Sequence, residues 1–202
     1  MARRRGEAHG DTLRVALLDA AGALLHSDGP QALTTRRLAD AVGTSTQAIY
    51  TLFGGKEGIV RAMYREGFDR LEQELARVDA TTAPPEYLLG LGRAYRASAR
   101  RSPHYYDVMF GRPVPEFEPR PDDVERSLVT QQMLTAGIVR CIEFGMLRAD
   151  ADPAEVGAFL WAAAHGLVSL ELTGHLDLGG DSDEPSPVYD RYLMASVAAW
   201  LK

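Results

Sequence analysis

A single cysteine, Cys141, occurs in 202 residues, which excludes an intramolecular disulfide and any cysteine-rich metal cage. No apolar run approaches the roughly 18 residues that a membrane-spanning helix needs, so no membrane partner is expected. The basic start Met1-Ala2-Arg3-Arg4-Arg5-Gly6 leads to Glu7 and Asp11 instead of an apolar stretch. That excludes a secretory signal of the usual kind and leaves the cytoplasm as the expected location. Alternation of apolar and polar residues is also missing over any length that would build a sheet. The chain is not poor enough in apolar residues to be disordered, because 46% hydrophobic and 25% charged residues are ordinary for a globular protein.

Positive charge is in deficit overall, with a net charge of -6, yet it is unevenly spread. Residues 1–61 carry eight Arg or Lys against six Asp or Glu, and the remainder carries fourteen against twenty-two. A basic segment joined to an acidic one suits a nucleic-acid-reading head on a body that does not bind nucleic acid.

Helical periodicity fills the chain. Leu13, Ala16, Leu17, Ala20, Leu24 and Leu25 recur at three- and four-residue spacings over 11–27, and Asp28-Gly29-Pro30 ends that pattern. Two short helices follow, from Thr34 to Gly43 and from Ser45 to Phe53, and a long one runs from Lys56 to about residue 80. Thr81 to Pro85 reads as a linker, after which helices are expected at 86–101, 104–110, 122–147, 153–174 and 187–202. The four prolines between Gly111 and Pro121 make that stretch a loop. Asp152-Pro153 is a helix start, with Asp152 as cap and Pro153 in the first turn. Residues 175–187 read as a polar, mobile loop. The expected fold is all-α, with a boundary between residues 1–55 and 56–202.

The informative segment is Leu33 to Phe53. Two short helices that cross steeply need a small residue at closest approach, which Ala39 supplies, and a tight turn, which Gly43 allows. Leu38 and Val42 face inward from the first helix, Ile49 and either Leu52 or Phe53 from the second, and Ser45 caps the second. This is the pattern of a helix-turn-helix, whose second helix enters the DNA major groove by its N-terminal end. Arg36 and Arg37 in one first turn, and Lys56 at the start of another helix, oppose the helix dipole. A phosphate in front of each helix end resolves that mismatch; the alternative is that solvated cations tolerate a poor position.

On Thr35, Ala39, Gly43, Ser45, Ile49-Tyr50, Phe53 and Lys56-Glu57-Gly58-Ile59, the N-terminal third resembles the TetR family of regulators. The resemblance implies that Thr35, Arg36, Thr46, Gln47, Tyr50 and Lys56 touch double-stranded operator DNA, with Ser45 completing the DNA-facing set. Thr35, Tyr50 and Lys56 would then contact phosphates, Thr46 and Gln47 would reach base edges, and Arg36 would do either. Gln47 suits a bidentate contact with adenine, and Tyr50 has packing as its alternative. Arg3, Arg4 and Arg5 form either an arm on the phosphates and minor groove or a solubilising tail.

Trp161 to Leu172, with Asp152-Pro153 and Ser102 to Phe110, resembles the WHG type of TetR C-terminal domain. This implies an Ω-shaped homodimer paired through its last two long helices, where Ala158, Ala162, Ala163 and Gly166 allow close approach. The same helices carry Leu160, Leu167, Leu170, Leu193, Val197 and Leu201 for burial. A small-molecule effector, lipophilic or aromatic, would sit in the body, with Tyr95, Met109, Phe110, Met133, Phe144, Trp161 and His165 as candidate contacts. Plain core packing is the alternative for each, and His165 reads as a structural histidine held by a local hydrogen bond. Neither a metal nor another cofactor is expected, because no His or Cys cluster has ligand spacing. Repression relieved by the effector is what the family implies. The rival class is a helical, hydrolytic protein using His165 or His104 with Cys141, and the apolar neighbours of Cys141 disfavour its thiolate.

Overall fold

A computed structural model of the protein describes residues 2–180 and 185–202, with side chains from residue 10 onward. The side chains of Arg3, Arg4 and Arg5, and the tip of the 175–187 loop, therefore lie outside the described residues. Nine α-helices are found among those residues: α1 (Ala2–Asp28), α2 (Thr35–Val42), α3 (Thr46–Phe53), α4 (Lys56–Ala76), α5 (Pro84–Arg101), α6 (Pro103–Tyr106), α7 (Pro121–Glu143), α8 (Pro153–Leu172) and α9 (Pro187–Ser196). A π-turn, Asp107–Gly111, continues α6, and a 3-10 turn, Ala198–Trp200, follows α9. The all-α expectation holds, and none of these helices is long and apolar enough to cross a membrane.

Caps and breakers set the boundaries. The Thr34 hydroxyl accepts from the Arg37 amide at 3.2 Å, and Ser45 from Ala48 at 3.1 Å, each satisfying an otherwise orphaned N–H. Gly43 and Gly54 end α2 and α3 at φ of 71° and 76°, a left-handed conformation that a Cβ would strain. Asp152 caps α8 through the Ala154 amide, ahead of Pro153 in the first turn. Ser186 is buried; it caps α9 through the Tyr189 amide and also donates to the Leu178 carbonyl, so the described part of that loop is anchored.

Four expectations need correction. Pro84 and Pro85 open α5 and do not belong to a linker, because a proline in the first helical turn gives up no hydrogen bond. α4 stops at Ala76, and Asp79 forms a turn by accepting from the Thr81 amide at 2.8 Å. The last helix ends at Ser196, after which Leu201 pairs with Leu147 in an isolated antiparallel bridge. α1 buries Leu17, Leu18, Ala21 and Leu25, so its inner face is rotated from the expected one and Ala16 is exposed. The rotation follows from what covers α1: a Cβ at Gly22 would lie 2.0 Å from the His104 ring.

The chain divides into two compact units, residues 1–67 with 104–124 and residues 68–103 with 125–202. The division crosses α4 after Gly67 and α7 after Val124. In the first unit α6 and its π-turn pack on α1 and α4, through the Tyr105 hydroxyl donating to Asp19 at 2.9 Å and Met109 lying against Gly67. In the second, Leu88, Ile138, Cys141, Leu147, Val156, Leu160, Val197 and Trp200 form a continuous core.

Candidate functional site

α2 and α3 are held by Leu38, Ala39 and Ile49, all buried. Phe53 and not Leu52 is the second inward residue at the end of α3: Leu52 is exposed, and the Arg14 guanidinium lies 5.6 Å from the Phe53 ring centroid. What remains outward is informative. Arg36, Ser45, Thr46, Gln47 and Tyr50 are exposed and Thr35 is half-buried, so the sequence-derived set occupies one helix-turn-helix. Tyr50 is 54% exposed, with its ring beside Gly55.

The three cations at helix starts part company. Arg37 pairs with Asp28, and the Lys56 ammonium donates to the Pro30 carbonyl at 2.9 Å, tying the start of α4 to the turn before α2. Two of the three are thus accounted for within the protein, and Lys56 has a structural task that sequence reasoning did not foresee. Arg36 is exposed and pairs with no carboxylate among the described residues.

Behind this surface lies a buried carboxylate. Asp123 is fully enclosed and accepts from Arg61 Nε at 2.8 Å, from Arg65 Nε, and from the Arg120 amide at 2.9 Å. Burial alone pushes this carboxyl up, but the Arg120 amide and the two guanidinium groups outweigh it and hold it below the usual aspartate value of 3.8. A depressed carboxyl stabilises the folded state above its ordinary value and loses that contribution as pH falls through the folded value. Asp123→Asn is therefore expected to cost about 1.5–3 kcal/mol at neutral pH, the scale of hydrogen bonds to charged groups. Urea denaturation at a series of pH values checks this: the gap between wild type and variant should narrow below pH 3.8. A constant gap would mean that charge at Asp123 contributes nothing.

In the second unit the structure brings three candidate effector contacts together. The Tyr95 hydroxyl lies 3.1 Å from His165 Nδ1, and the Trp161 and His165 rings are 6.1 Å apart. Burial pushes the His165 imidazole below its usual value of 6.5, favouring the neutral ring. Met133 is half-buried on α7, and Met109 and Phe110 belong to the first unit. Phe144 is 61% exposed at the end of α7, so as a pocket contact it is misplaced; the helix ends at Glu143 and leaves the ring on the surface.

Sequence reasoning missed the charged network beside this cluster. Arg96 is 4% exposed, forms a two-pronged pair with Glu171, donates to the Gly179 carbonyl at 2.8 Å and lies over the Tyr189 ring. Arg100 donates to the same carboxylate at 2.7 Å. No local signal announces such pairs, whose partners stand 71 to 75 positions apart. Cys141, the nucleophile of the rival reading, lies in the core, where burial pushes its thiol up and suppresses the thiolate. No group of three metal-ligating side chains occurs among the described residues.

Two family models match the chain. Residues 17–63 match the one described as bacterial regulatory proteins, tetR family, and residues 88–193 match the tetracyclin repressor-like C-terminal domain. An uncharacterized HTH-type transcriptional regulator of Mycobacterium tuberculosis is 28% identical over 165 residues, which cover 81% of this chain and 72% of that relative. Among solved structures, a protein of unknown function from Rhodococcus sp. RHA1 aligns with a TM-score of 0.76 at 24% identity, covering 94% of this chain and 96% of its own. A ketosteroid transcriptional regulator of M. tuberculosis aligns with a TM-score of 0.66 at 24% identity, over 94% and 95% of the two chains. At these identities the structural likeness speaks to the fold.

Proposed function

The chain belongs to the TetR family of DNA-binding transcriptional regulators, and from that premise we propose that it is a repressor released from a palindromic operator by a small, largely apolar effector. DNA recognition is assigned to residues 1–55, and effector binding and dimerisation to 56–202. One observation carries the DNA contacts. Arg36, Gln47 and Tyr50 are exposed, while the neighbouring cations Arg37 and Lys56 are occupied within the protein. Side chains held out without internal partners on a helix-turn-helix suit phosphates and base edges.

Pairing of two chains is supported by α8. Phe159, Ala162, Gly166 and Leu170 recur along one face at three- and four-residue spacing, Phe159 and Leu170 are exposed, and the space in front of Gly166 is open. Tyr192 and Met194 on α9 are exposed too, and apolar side chains left in water at this density mark an interface. A two-fold pair would set its recognition helices about one DNA turn, ~34–36 Å, apart, which is the reason for a palindromic operator.

An apolar effector is supported by the aromatic cluster of Tyr95, Trp161 and His165, where one hydroxyl and one imidazole offer polarity among rings. The ketosteroid regulator, a fold relative, is consistent with that chemistry. The effector acts only as far as it prefers the state that does not bind DNA, so operator must weaken effector binding by the same factor.

Fluorescence anisotropy with the DNA flanking this protein's own gene, at several salt concentrations, tests the reading. Wild type should bind tightly and resist competitor DNA. Arg36→Ala with Tyr50→Phe, neither of which removes a hydrogen bond among the described residues, should weaken binding. Loss of the Arg36 charge should lower the salt slope by about 1, while loss of the uncharged Tyr50 hydroxyl lowers affinity without changing the slope. An unchanged slope and affinity would remove both residues from the interface.

A further inference from the structure

Four arginines from three segments of the first unit converge on one cleft: Arg14 from α1, Arg61 and Arg65 from α4, and Arg120 from the loop before α7. The cleft has a volume of about 440 Å³, within the ~300–1,000 Å³ of ordinary small-molecule pockets. Two carboxylates answer the four guanidinium groups. Asp123 is shared by Arg61 and Arg65, and the exposed Glu57 meets Arg120 at 3.3 Å. Among the described residues this leaves the cleft with an excess of positive charge, part of it open to solvent at Arg65 and Arg120.

The unused donors are specific. Arg61 and Arg65 each give Asp123 only their Nε, so their terminal amino groups have no acceptor among the described residues. Among the described residues Arg14 is engaged through its face on Phe53 alone. Guanidinium groups offer paired N–H donors that match carboxylate and phosphate oxygens two at a time. Phe53 and Ala62 add an apolar wall.

We propose that this cleft binds a small organic dianion, a phosphomonoester or dicarboxylate with a short apolar body. The anionic oxygens take the free guanidinium N–H groups, and the apolar part lies against Phe53. The site is distinct from the aromatic cluster in the second unit, and it does not rest on the operator reading. The DNA backbone carries similar oxygens, so the test must separate a small ligand from duplex phosphates.

Isothermal titration of the full-length protein with phenyl phosphate, with phenol as the uncharged control, provides that test. Saturable binding of one molecule per chain is expected with a Kd below about 1 mM, with no saturable binding of phenol. Arg14→Gln with Arg120→Gln should weaken it at least about tenfold by removing two charge-assisted donors. Arg120→Gln alone, an exposed side chain whose loss leaves the Asp123 ion pairs in place, should weaken it in the same direction if the double variant melts early. The proposal is overturned by absence of saturable binding up to about 10 mM, by equal affinity in Arg120→Gln, or by phenol binding as well as phenyl phosphate. It is also overturned if random-sequence duplex displaces phenyl phosphate and the double variant lowers the salt slope for DNA, because the cleft is then backbone-contact surface.

Discussion

Gly58→Ala should cost the protein its DNA binding while leaving the second unit folded. Alanine is the better helix former by about 1 kcal/mol, so propensity alone predicts a more stable α4. Contact reverses the sign. A Cβ at Gly58 would lie 1.6 Å from the Phe53 carbonyl oxygen and 2.7 Å from its carbonyl carbon. These are backbone atoms, which cannot rotate aside as the end of a side chain can. Either the first turn of α4 unwinds, or the α3–α4 corner shifts and takes Phe53 out of its place beside Arg14. Overpacking of this kind costs about 1–3 kcal/mol and sometimes more, and all of it falls on the element that aims the recognition helix. Operator affinity measured by anisotropy should fall at least about thirtyfold, the equivalent of roughly 2 kcal/mol. Gly43→Asn is the matching control: nothing lies within 4 Å of its Cβ, and asparagine tolerates a positive φ. If Gly58→Ala bound DNA as wild type does, the close approach of Gly58 to the Phe53 carbonyl would not set the aim of the recognition helix.

The second large effect is expected at Glu171. Removing this carboxylate by Glu171→Ala leaves Arg96 buried with its charge unanswered and takes an acceptor from Arg100. Breaking a buried pair from one side costs about 3–5 kcal/mol, which for a chain of this size is a fall in Tm of roughly 6–20 °C. Exposed pairs such as Arg37 with Asp28 should cost under about 1 kcal/mol when broken. Replacing both partners, Arg96→Met with Glu171→Leu, should recover most of the loss, because the burial penalty disappears together with the attraction. A thermal melt of the three proteins separates the possibilities. A double variant as unstable as Glu171→Ala would show that the pair's geometry matters, through the Gly179 carbonyl and the Tyr189 ring, more than its charge.

Much of the head was legible because its signals are local. Thr34, Gly43 and Ser45 act on backbone groups within four positions, and the crossing of α2 and α3 needs only Ala39 and Ile49 in the right register. Asp152-Pro153 announced α8 for the same reason. Pro84-Pro85 is an ambiguous signal even though it is local, since prolines end one element and open another with equal ease. In the body, the resemblance of residues 161–172 located α8, and periodicity located α5 and α7, but neither could say which side chains meet.

The sequence by itself determined the all-α class, the placement of the helix-turn-helix and the identity of its outward polar residues, since caps, glycines and helical periodicity act within one or two turns. Tertiary structure decided which face of α1 is buried, that Phe53 and not Leu52 turns inward, and that Lys56 is tied to Pro30. It also decided that Asp123 gathers Arg61 and Arg65, and that Glu171 gathers Arg96 and Arg100. Those choices depend on desolvation and shape between residues dozens of positions apart. A charge in a helical pattern looks the same in sequence whether it ends in water or in the core, and only the fold supplies its partner.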